Sequence, residues 1–412
     1  MATIKKMPAI RFKGFEEEWE CKTLENVAQF FRGKLLSWKD IVDGGKYECI
    51  LYGNLYTDYG MIIRDVVYRT NTITDELIYS RYGDVLIPSS DTTPTGLARA
   101  SSIEKNNVIL GGDINVIRPN SSLNGSFLSL SINSNKQKLV KLIKGSTVRH
   151  LDNSDIKKIE LSISESITEQ IQIGNSFKEL DGLILLQEQK LEKVTNLKKA
   201  MLEKMFPKEH ADVPEIRFKG FTDKWEKKKL GKVGDLLTGH PFESKKFSKN
   251  GIFLVRGMNV KRGYLDTSED LSEYWCTSQG LENYLLKEKD IVIQMDGALI
   301  GKSYAKISDK HLPALLVQRV TRIRNTIANS EFVYQKIQRD FLSYISKIKT
   351  ETAVPHLSLN DIRDFQIDFP SIQEQQKIGE YFQNLDQLIS KSRQKVEQLK
   401  HLKQALLQKM FI

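Results

Sequence analysis

A chain of 412 residues with 40% hydrophobic and 28% charged side chains has the length for two or three domains with real cores and the composition of a folded protein rather than a disordered one. Its 62 Lys and Arg against 52 Asp and Glu leave a net charge of +10, which favours a polyanionic partner, nucleic acid before an anionic membrane surface. Cys21, Cys49 and Cys276 fit no disulfide or metal spacing, no apolar run reaches the length of a membrane span, and the start MATIKKMPAI lacks a signal peptide's apolar stretch, so a cytoplasmic protein is expected.

The chain opens on PAIRFKGFEEEWECKTLENV at residues 8–27, and this stretch returns as PEIRFKGFTDKWEKKKLGKV at residues 214–233, an offset of 206. Behind the first copy, β-branched or alternating runs separated by Gly, Asn, Ser and Pro predict strands at residues 47–51, 84–88, 107–110 and 114–117, followed by a polar helix over 126–143. In the second half the same reading places strands at 251–255, 290–294 and 315–323 and a helix at 330–348. Offset 206 also relates Asp84 to Asp290, Ile117-Arg118 to Ile323-Arg324, His150-Leu151 to His356-Leu357, and Asp155-Ile156 to Asp361-Ile362. The whole chain is a direct duplication.

Each half closes on a long helix. Residues 167–207 and 372–412 align without a gap at an offset of 205 and share 20 identities. Ile173, Phe177, Leu180, Ile184, Leu191 and Val194 in the first copy, and Ile378, Phe382, Leu385, Ile389, Val396 and Leu399 in the second, follow the 4-3 spacing of a coiled-coil seam. Gln187 and Ser392 interrupt that seam. Ser166 with Glu169 and Ser371 with Glu374 predict a capping box at each helix start. At 1.5 Å per residue each helix runs roughly 60 Å, the length of a spacer with a partner rather than of an ordinary core helix. Lys and Arg exceed Asp and Glu by 0 in the first helix and 3 in the second, so most of the positive charge lies elsewhere, opposite to a lipid-binding amphipathic helix.

The expected fold is α+β: two tandem mixed α/β domains, residues 1–166 and 214–371, with two long coiled-coil helices, 167–207 and 372–412, and a short linker at 208–213; a direct repeat closes into a pseudo-two-fold arrangement only if these helices run antiparallel. Similarity between the halves is high at their edges and low in their middles. One scaffold is expected to hold two different recognition surfaces.

Enzyme chemistry finds little support. The chain has no Pro-Pro, which the base-holding motif of an adenine or cytosine amino-methyltransferase needs, and no GxGxxG for a cofactor on a Rossmann sheet. Gly297 to Ser303 resembles a phosphate loop but has three residues between its glycines where four are needed, so a tight turn offering Lys302 is expected instead. Asp235, Glu243 and Lys245 fall in a lysine-rich loop rather than a nuclease site. His150 and His356 lack neighbouring ligands and are expected to be buried, hydrogen-bonded turn residues.

What remains is binding, in which cations meet phosphates while forked or amide groups meet base edges. The candidates in the first half are Arg32, Lys34, Asn54, Tyr56, Ser89, Ser90, Asp91, Thr92, Thr93 and Arg99. In the second half they are Lys245, Lys246, Arg256, Asn259, Lys261, Arg262, Lys302, Gln318 and Arg319.

The paired IRFKGF-x3-WE openings, the D-[VI]-[LV]-I strands at Asp84 and Asp290, the H-L stretches at His150 and His356, and the duplicated EQ-x3-G-x2-F-x2-LD helices ending in KMF resemble the specificity subunit of type I restriction-modification systems over essentially the whole chain. The resemblance implies two target-recognition domains, each reading one half of a bipartite, asymmetric DNA sequence in the major groove, with the helices as a ruler between them. It implies a non-catalytic chain that binds no cofactor. Two modification subunits carrying S-adenosylmethionine would dock on it, and restriction subunits would join. Domains facing one side of the duplex would read half-sites roughly one helical turn apart, about 34 Å. A different class is a structural coiled-coil protein whose basic domains bind DNA without sequence preference, which a mobility shift with a modification subunit distinguishes.

Overall fold

The computed structural model describes residues 7–208, 211–297, 299–348 and 356–412. Positions 209 and 210 of the expected linker, and position 298 of the glycine-flanked stretch, lie outside the described residues. The contacts divide the chain into two compact units, one drawn from Met1–Glu188 and Gln394–Ile412, the other from Gln189–Arg393. Both divisions fall inside the long helices.

In the first unit the central strand Asp84–Pro88 is buried along its whole length. Alternation sends its side chains to two cores. Val85 and Ile87 join Trp19, Ile117, Phe127 and Leu128, while Leu86 joins Ile50, Leu110, Ile114 and Val116. It therefore reads as a continuous apolar run, as strands covered on both faces do. Among the described residues it lies in a five-stranded sheet ordered Ala28–Arg32, Ile114–Pro119, Asp84–Pro88, Ser101–Ile103, Ile62–Ile63, antiparallel except for the last pair. A second sheet lies behind it, with Tyr47–Ile50 parallel to Ile109–Leu110.

The second unit repeats this arrangement. Gly234–Thr238, Val320–Asn325, Ile291–Gln294 and Tyr304–Lys306 form an antiparallel sheet, and Ile252–Val255 lies parallel to Ala314–Leu316 in the other. Ile291 and Ile293 again face one core and Val292 the other.

Two expectations from sequence change here. The helix expected at 126–143 is two helices, Gly125–Ser134 and Lys136–Val140, and the first is buried. Its polar residues are satisfied inside: Ser129 Oγ donates to the Met61 and Ala100 carbonyls at 2.7 and 3.0 Å, and Asn133 Nδ2 to Ala100 at 2.7 Å. A polar composition that completes its hydrogen bonds internally needs no solvent. The strand expected at 315–323 is also two, Ala314–Leu316 and Val320–Asn325, in different sheets. The chain turns between them at Gln318 and Arg319, the latter at φ 66°.

The long helices are Ile167–Lys204 and Ile372–Lys409, 38 residues each. They end before the KMF tails do, because Phe206 and Phe411 leave the helix to enter cores. Phe411 packs on Trp19, Phe127 and Phe177 in the first unit. Phe206 packs on Trp225, Phe332 and Phe382 in the second.

Within the first unit, Asp181 meets Lys403 at 2.5 Å and Glu188 meets Lys400 at 2.8 Å, beside a cluster of Leu180, Ile184 and Leu399. Within the second, Lys198 meets Asp386 at 2.6 Å, and Val194 packs into the core holding Ile378, Phe382 and Leu385. Partner numbers fall as helix numbers rise, from Asp181 with Lys403 to Glu188 with Lys400 in the first unit and from Lys198 with Asp386 to Phe206 with Phe382 in the second, so the helix segments run antiparallel in each unit. Lys198–Asp386 and Lys403–Asp181 are the same ion pair at offset 205. Leu191 and Ile389 on the seam are half-buried, as is Gln187, and Ser392 is buried.

The capping boxes are only half formed. Ser166 Oγ accepts from the Glu169 amide at 3.3 Å and Ser371 Oγ from the Glu374 amide at 3.4 Å. The glutamate side chains do not turn back to cap. Glu169, fully buried, accepts from Arg11 Nε and Nη2 at 2.6 and 2.9 Å, from Trp19 Nε1 at 3.1 Å and from Ser164 Oγ at 2.5 Å. Glu374, equally buried, accepts from Arg217 at 2.7 and 2.8 Å. A bidentate guanidinium outcompetes a backbone amide for a buried carboxylate. The opening motif is thereby bound to the helix start in both units.

Burial alone would raise the Glu169 pKa, but the donors from Arg11, Ser164 and Trp19 outweigh it and hold the carboxyl below its usual range. Glu169→Gln, which leaves the Arg11 charge buried and unpaired, is expected to cost the first unit about 3 kcal/mol or more, read as a lower denaturation midpoint at neutral pH. The ionised pair stabilises above the unfolded carboxylate pKa and is lost as pH falls through the folded value. The gap between variant and wild type should therefore close in acid.

Candidate nucleic-acid interface

Each main sheet has two ends of different character. At the end next to the long helix the charges are paired inside: Arg118 meets buried Asp84 at 2.7 Å and Arg324 meets buried Asp290 at 2.6 Å. There too Gln170 Oε1 accepts from the Asn124 amide at 2.7 Å and Gln375 Oε1 from the Asn329 amide at 3.0 Å. The opposite, distal end carries most of the candidate residues.

In the first unit the distal end brings together the end of Ala28–Arg32, the loop after Asp84–Pro88 and the turn before Ile114–Pro119. Arg32 Nη2 donates to Ser89 Oγ at 2.9 Å and Asp113 Oδ1 at 3.1 Å, and its Nη1 lies 3.5 Å from Asp152. Tyr56 Oη donates to the Ser90 carbonyl at 2.7 Å, and Arg99 Nη1 to the Tyr56 carbonyl at 2.5 Å. Asp91 accepts from the Thr92 amide at 2.6 Å and from Thr93 Oγ1 at 2.9 Å, leaving both threonines exposed. Burial raises the Tyr56 pKa, with the Asp91 charge adding to it, and lowers that of Arg99. Tyr56 is thus a neutral hydroxyl in this patch. Lys34 is exposed at its edge, held by a backbone bond to Leu110 at 3.2 Å.

In the second unit the distal end offers Gln318 and Arg319, both exposed, before Val320–Asn325, and exposed Lys302 before Tyr304–Lys306. Arg319 Nη1 donates to Asp296 Oδ2 at 2.7 Å. From Leu299 to Ser303 the chain turns tightly: the Ile300 amide donates to the Gly297 carbonyl and the Lys302 and Ser303 amides to that of Leu299, so these amides form no ring around a phosphate. Exposed Arg262 and half-buried Lys261 border the Tyr304 strand, with Lys261 3.9 Å from Asp266. Lys245 and Lys246 lie in a separate turn, Ser244–Lys246, where Lys246 pairs with Glu243 at 2.9 Å. Arg256 lies 5.6 Å from the Phe247 ring centre and donates to the Leu271 carbonyl at 2.7 Å.

Three expectations are corrected. Asn54 and Asn259 are fully buried and offer no amide to a groove. Asn54 Oδ1 accepts from the Leu51 amide at 2.8 Å, and Asn259 Oδ1 from the Arg256 amide at 3.2 Å. Both close the turn that follows the strand of the smaller sheet. Ser89 is likewise buried and acts through Arg32. His150 and His356 are exposed rather than buried. Their backbones are engaged, that of His150 in a bridge to Ser90 and that of His356 in one to Asp296.

Asp235, Glu243 and Lys245 do not converge: Asp235 pairs with buried Arg322 and Glu243 with Lys246. Among the described residues no His, Cys, Asp and Glu cluster could hold a metal ion, and no helix is long and apolar enough to cross a membrane. Asp113 and Asp152 beside Arg32, and Asp296 beside Arg319, are not among the residues expected from sequence, since no local pattern reveals which carboxylate a cation meets across the fold.

Known proteins match the chain in both units. The pattern defining the "Type I restriction modification DNA specificity domain" matches residues 16–196 and again 222–401. The specificity subunit of the type I restriction enzyme MjaVIII from Methanocaldococcus jannaschii is 25% identical over 415 residues, covering 95% of this chain and 91% of its own length. The EcoAI specificity subunit from Escherichia coli is 33% identical over 143 residues, 34% of this chain and 24% of its own length. The solved S subunit from M. genitalium shares the fold, with a TM-score of 0.69 at 16% identity, over 98% of this chain and 99% of that one.

Because Asn54 and Asn259 complete buried turns, alanine at either is expected to lower stability by about 1–3 kcal/mol in chemical denaturation. The salt dependence of DNA binding by the folded variants should stay unchanged.

Proposed function

This chain belongs to the family of type I restriction-modification specificity subunits, and from that membership we propose that each of its units reads one half of a bipartite, asymmetric DNA target through the distal end of its main sheet. The carrying observation is the contrast between a duplicated frame and unlike side chains. The same ion pairs, glutamate anchors and phenylalanine plugs recur in both units, whereas the distal ends present Arg32 with Ser90 to Thr93 in one and Lys302, Gln318 and Arg319 in the other. Two unlike sets of donors and acceptors read two unlike half-sites.

The long helices set the spacing between half-sites in this reading. Each starts at a glutamate anchor in one unit and ends at a phenylalanine in the core of the other. Their exposed residues, Leu183, Leu185 and Leu186 on the first and Leu388 and Leu402 on the second, provide surface for two modification subunits, and restriction subunits complete the assembly. The chain contributes recognition and no catalytic group. S-adenosylmethionine belongs to the modification subunits, and the assembly works in the cytoplasm.

In a mobility-shift assay of this chain with its modification subunits, binding to one bipartite sequence should exceed binding to random DNA by 10³-fold or more. Equal binding to all sequences, governed by salt alone, would identify a coiled-coil DNA-binding protein without sequence preference. Methyl transfer by the chain alone would make it an enzyme.

A further inference from the structure

Asp113 and Arg319 occupy one position of the duplicated frame, 206 residues apart. Each is in left-handed backbone, at φ 61° and 66°, immediately before the strands Ile114–Pro119 and Val320–Asn325. Their surroundings are duplicated as well. The Asp113 carbonyl accepts from the Ser89 amide at 2.8 Å and the Arg319 carbonyl from the Met295 amide at 2.9 Å.

On the neighbouring strand end, Gly33 donates to the Ile114 carbonyl at 2.8 Å and Gly239 to that of Val320 at 3.0 Å. A Cβ at Gly33 would come within 2.0 Å of the Gly111 oxygen, and one at Gly239 within 2.2 Å of the Val317 oxygen. Backbone packing therefore fixes this position in both units. The side chain is what differs, a carboxylate in one and a guanidinium in the other.

Aspartate adopts left-handed backbone more readily than most residues. Arginine does not, and a glycine or asparagine would serve the turn with less strain. Strain kept by an exposed arginine, as Leu35 and Lys289 also keep it elsewhere, directs attention to what its side chain meets.

The local charge narrows what each side chain meets. Asp113 Oδ1 accepts from Arg32 Nη2 at 3.1 Å and Ser89 Oγ at 3.3 Å, while Asp152 flanks the same guanidinium at 3.5 Å. Two carboxylates around one cation repel a phosphate but not a base amino group. Both bonds to Asp113 fall on Oδ1, and the side chain is 47% exposed, so Oδ2 is available to an outside donor. Arg319, 69% exposed, gives Nη1 to Asp296 at 2.7 Å. That bond orients the fork while its other N–H groups remain outward, the arrangement suited to two acceptors on a base edge.

The geometry points to this shared position as a specificity-determining one. Asp113 accepts from the exocyclic amino group of a cytosine or adenine in one half-site, and Arg319 donates to O6 and N7 of a guanine in the other. The inference rests on the reading of each unit as a half-site reader. Asp113 and Arg319 are placed to discriminate single base pairs within those half-sites.

The test is methylome sequencing of cells carrying the full assembly with wild-type chain, Asp113→Asn or Arg319→Gln, with Arg319→Lys as a second variant at that site. Arg319→Gln should relax one G·C pair of one half-site by roughly tenfold or more in relative methylation and leave the other half intact. Arg319→Lys should relax the same pair less. Asp113→Asn should alter one pair of the opposite half-site.

An unchanged motif in these variants, or a uniform fall in methylation over all sites as expected of phosphate contacts, would overturn the inference while leaving the proposed function standing. A wild-type assembly that methylates no bipartite motif would instead overturn the function.

Discussion

A carboxylate without solvent exposure sits in the first turn of each long helix, and the frame depends on what neutralises it. Glu169 and Glu374 are each held by an arginine from the IRFKGF motif, Arg11 and Arg217. A buried pair of this kind gains little over an apolar substitute, yet breaking it strands a charge in the core. Its worth lies in direction. The guanidinium fork accepts one orientation of the carboxylate, so the start of each helix is set against the start of each domain. The next residue, Gln170 or Gln375, sets it against the loop capping the domain's internal helix. Phe206 and Phe411 complete the arrangement by filling a core at the end of each helix.

With both helix ends fixed this way, the sheets have one end committed to the helix and one end released from structural duty. The committed end spends its charges on internal pairs such as Arg118–Asp84 and Arg324–Asp290. The distal end presents side chains whose conformation is set by the frame but whose chemistry is not. On the proposed reading, function is separated from stability along the axis of the strands. The two distal ends can diverge without disturbing a core, as two half-sites of different sequence require.

The duplication, the strands at Asp84 and Asp290, and the two helices were legible in the sequence because apolar periodicity and internal repetition encode them directly. The glutamates of the capping boxes were read correctly as structural but with the wrong partner, since a local pattern does not reveal an arginine 158 residues away. The helix at Gly125–Ser134 reads as polar from sequence, and its burial is not legible there because its serine and asparagine find their acceptors at Met61 and Ala100, far along the chain.

At the candidate interface, Asn54 and Asn259 are expected from sequence as groove-facing amides, yet they recur at the same place in both halves because they build the frame. Asp113 and Arg319, the pair that differs, occupy a position repeated only in its backbone. Under the inference for Asp113 and Arg319, matching residues serve the scaffold and residues that differ at matched backbone positions serve recognition.

The central claim is that each unit reads its own half-site on a common frame. Replacing residues 31–145 with the corresponding middle of a related specificity subunit, and sequencing the methylome of cells carrying the hybrid with its modification subunits, tests it directly. The account predicts that one half of the recognised sequence changes to that of the donor while the other half and the spacing between them stay as they were. A change in both halves, or in neither, would contradict it.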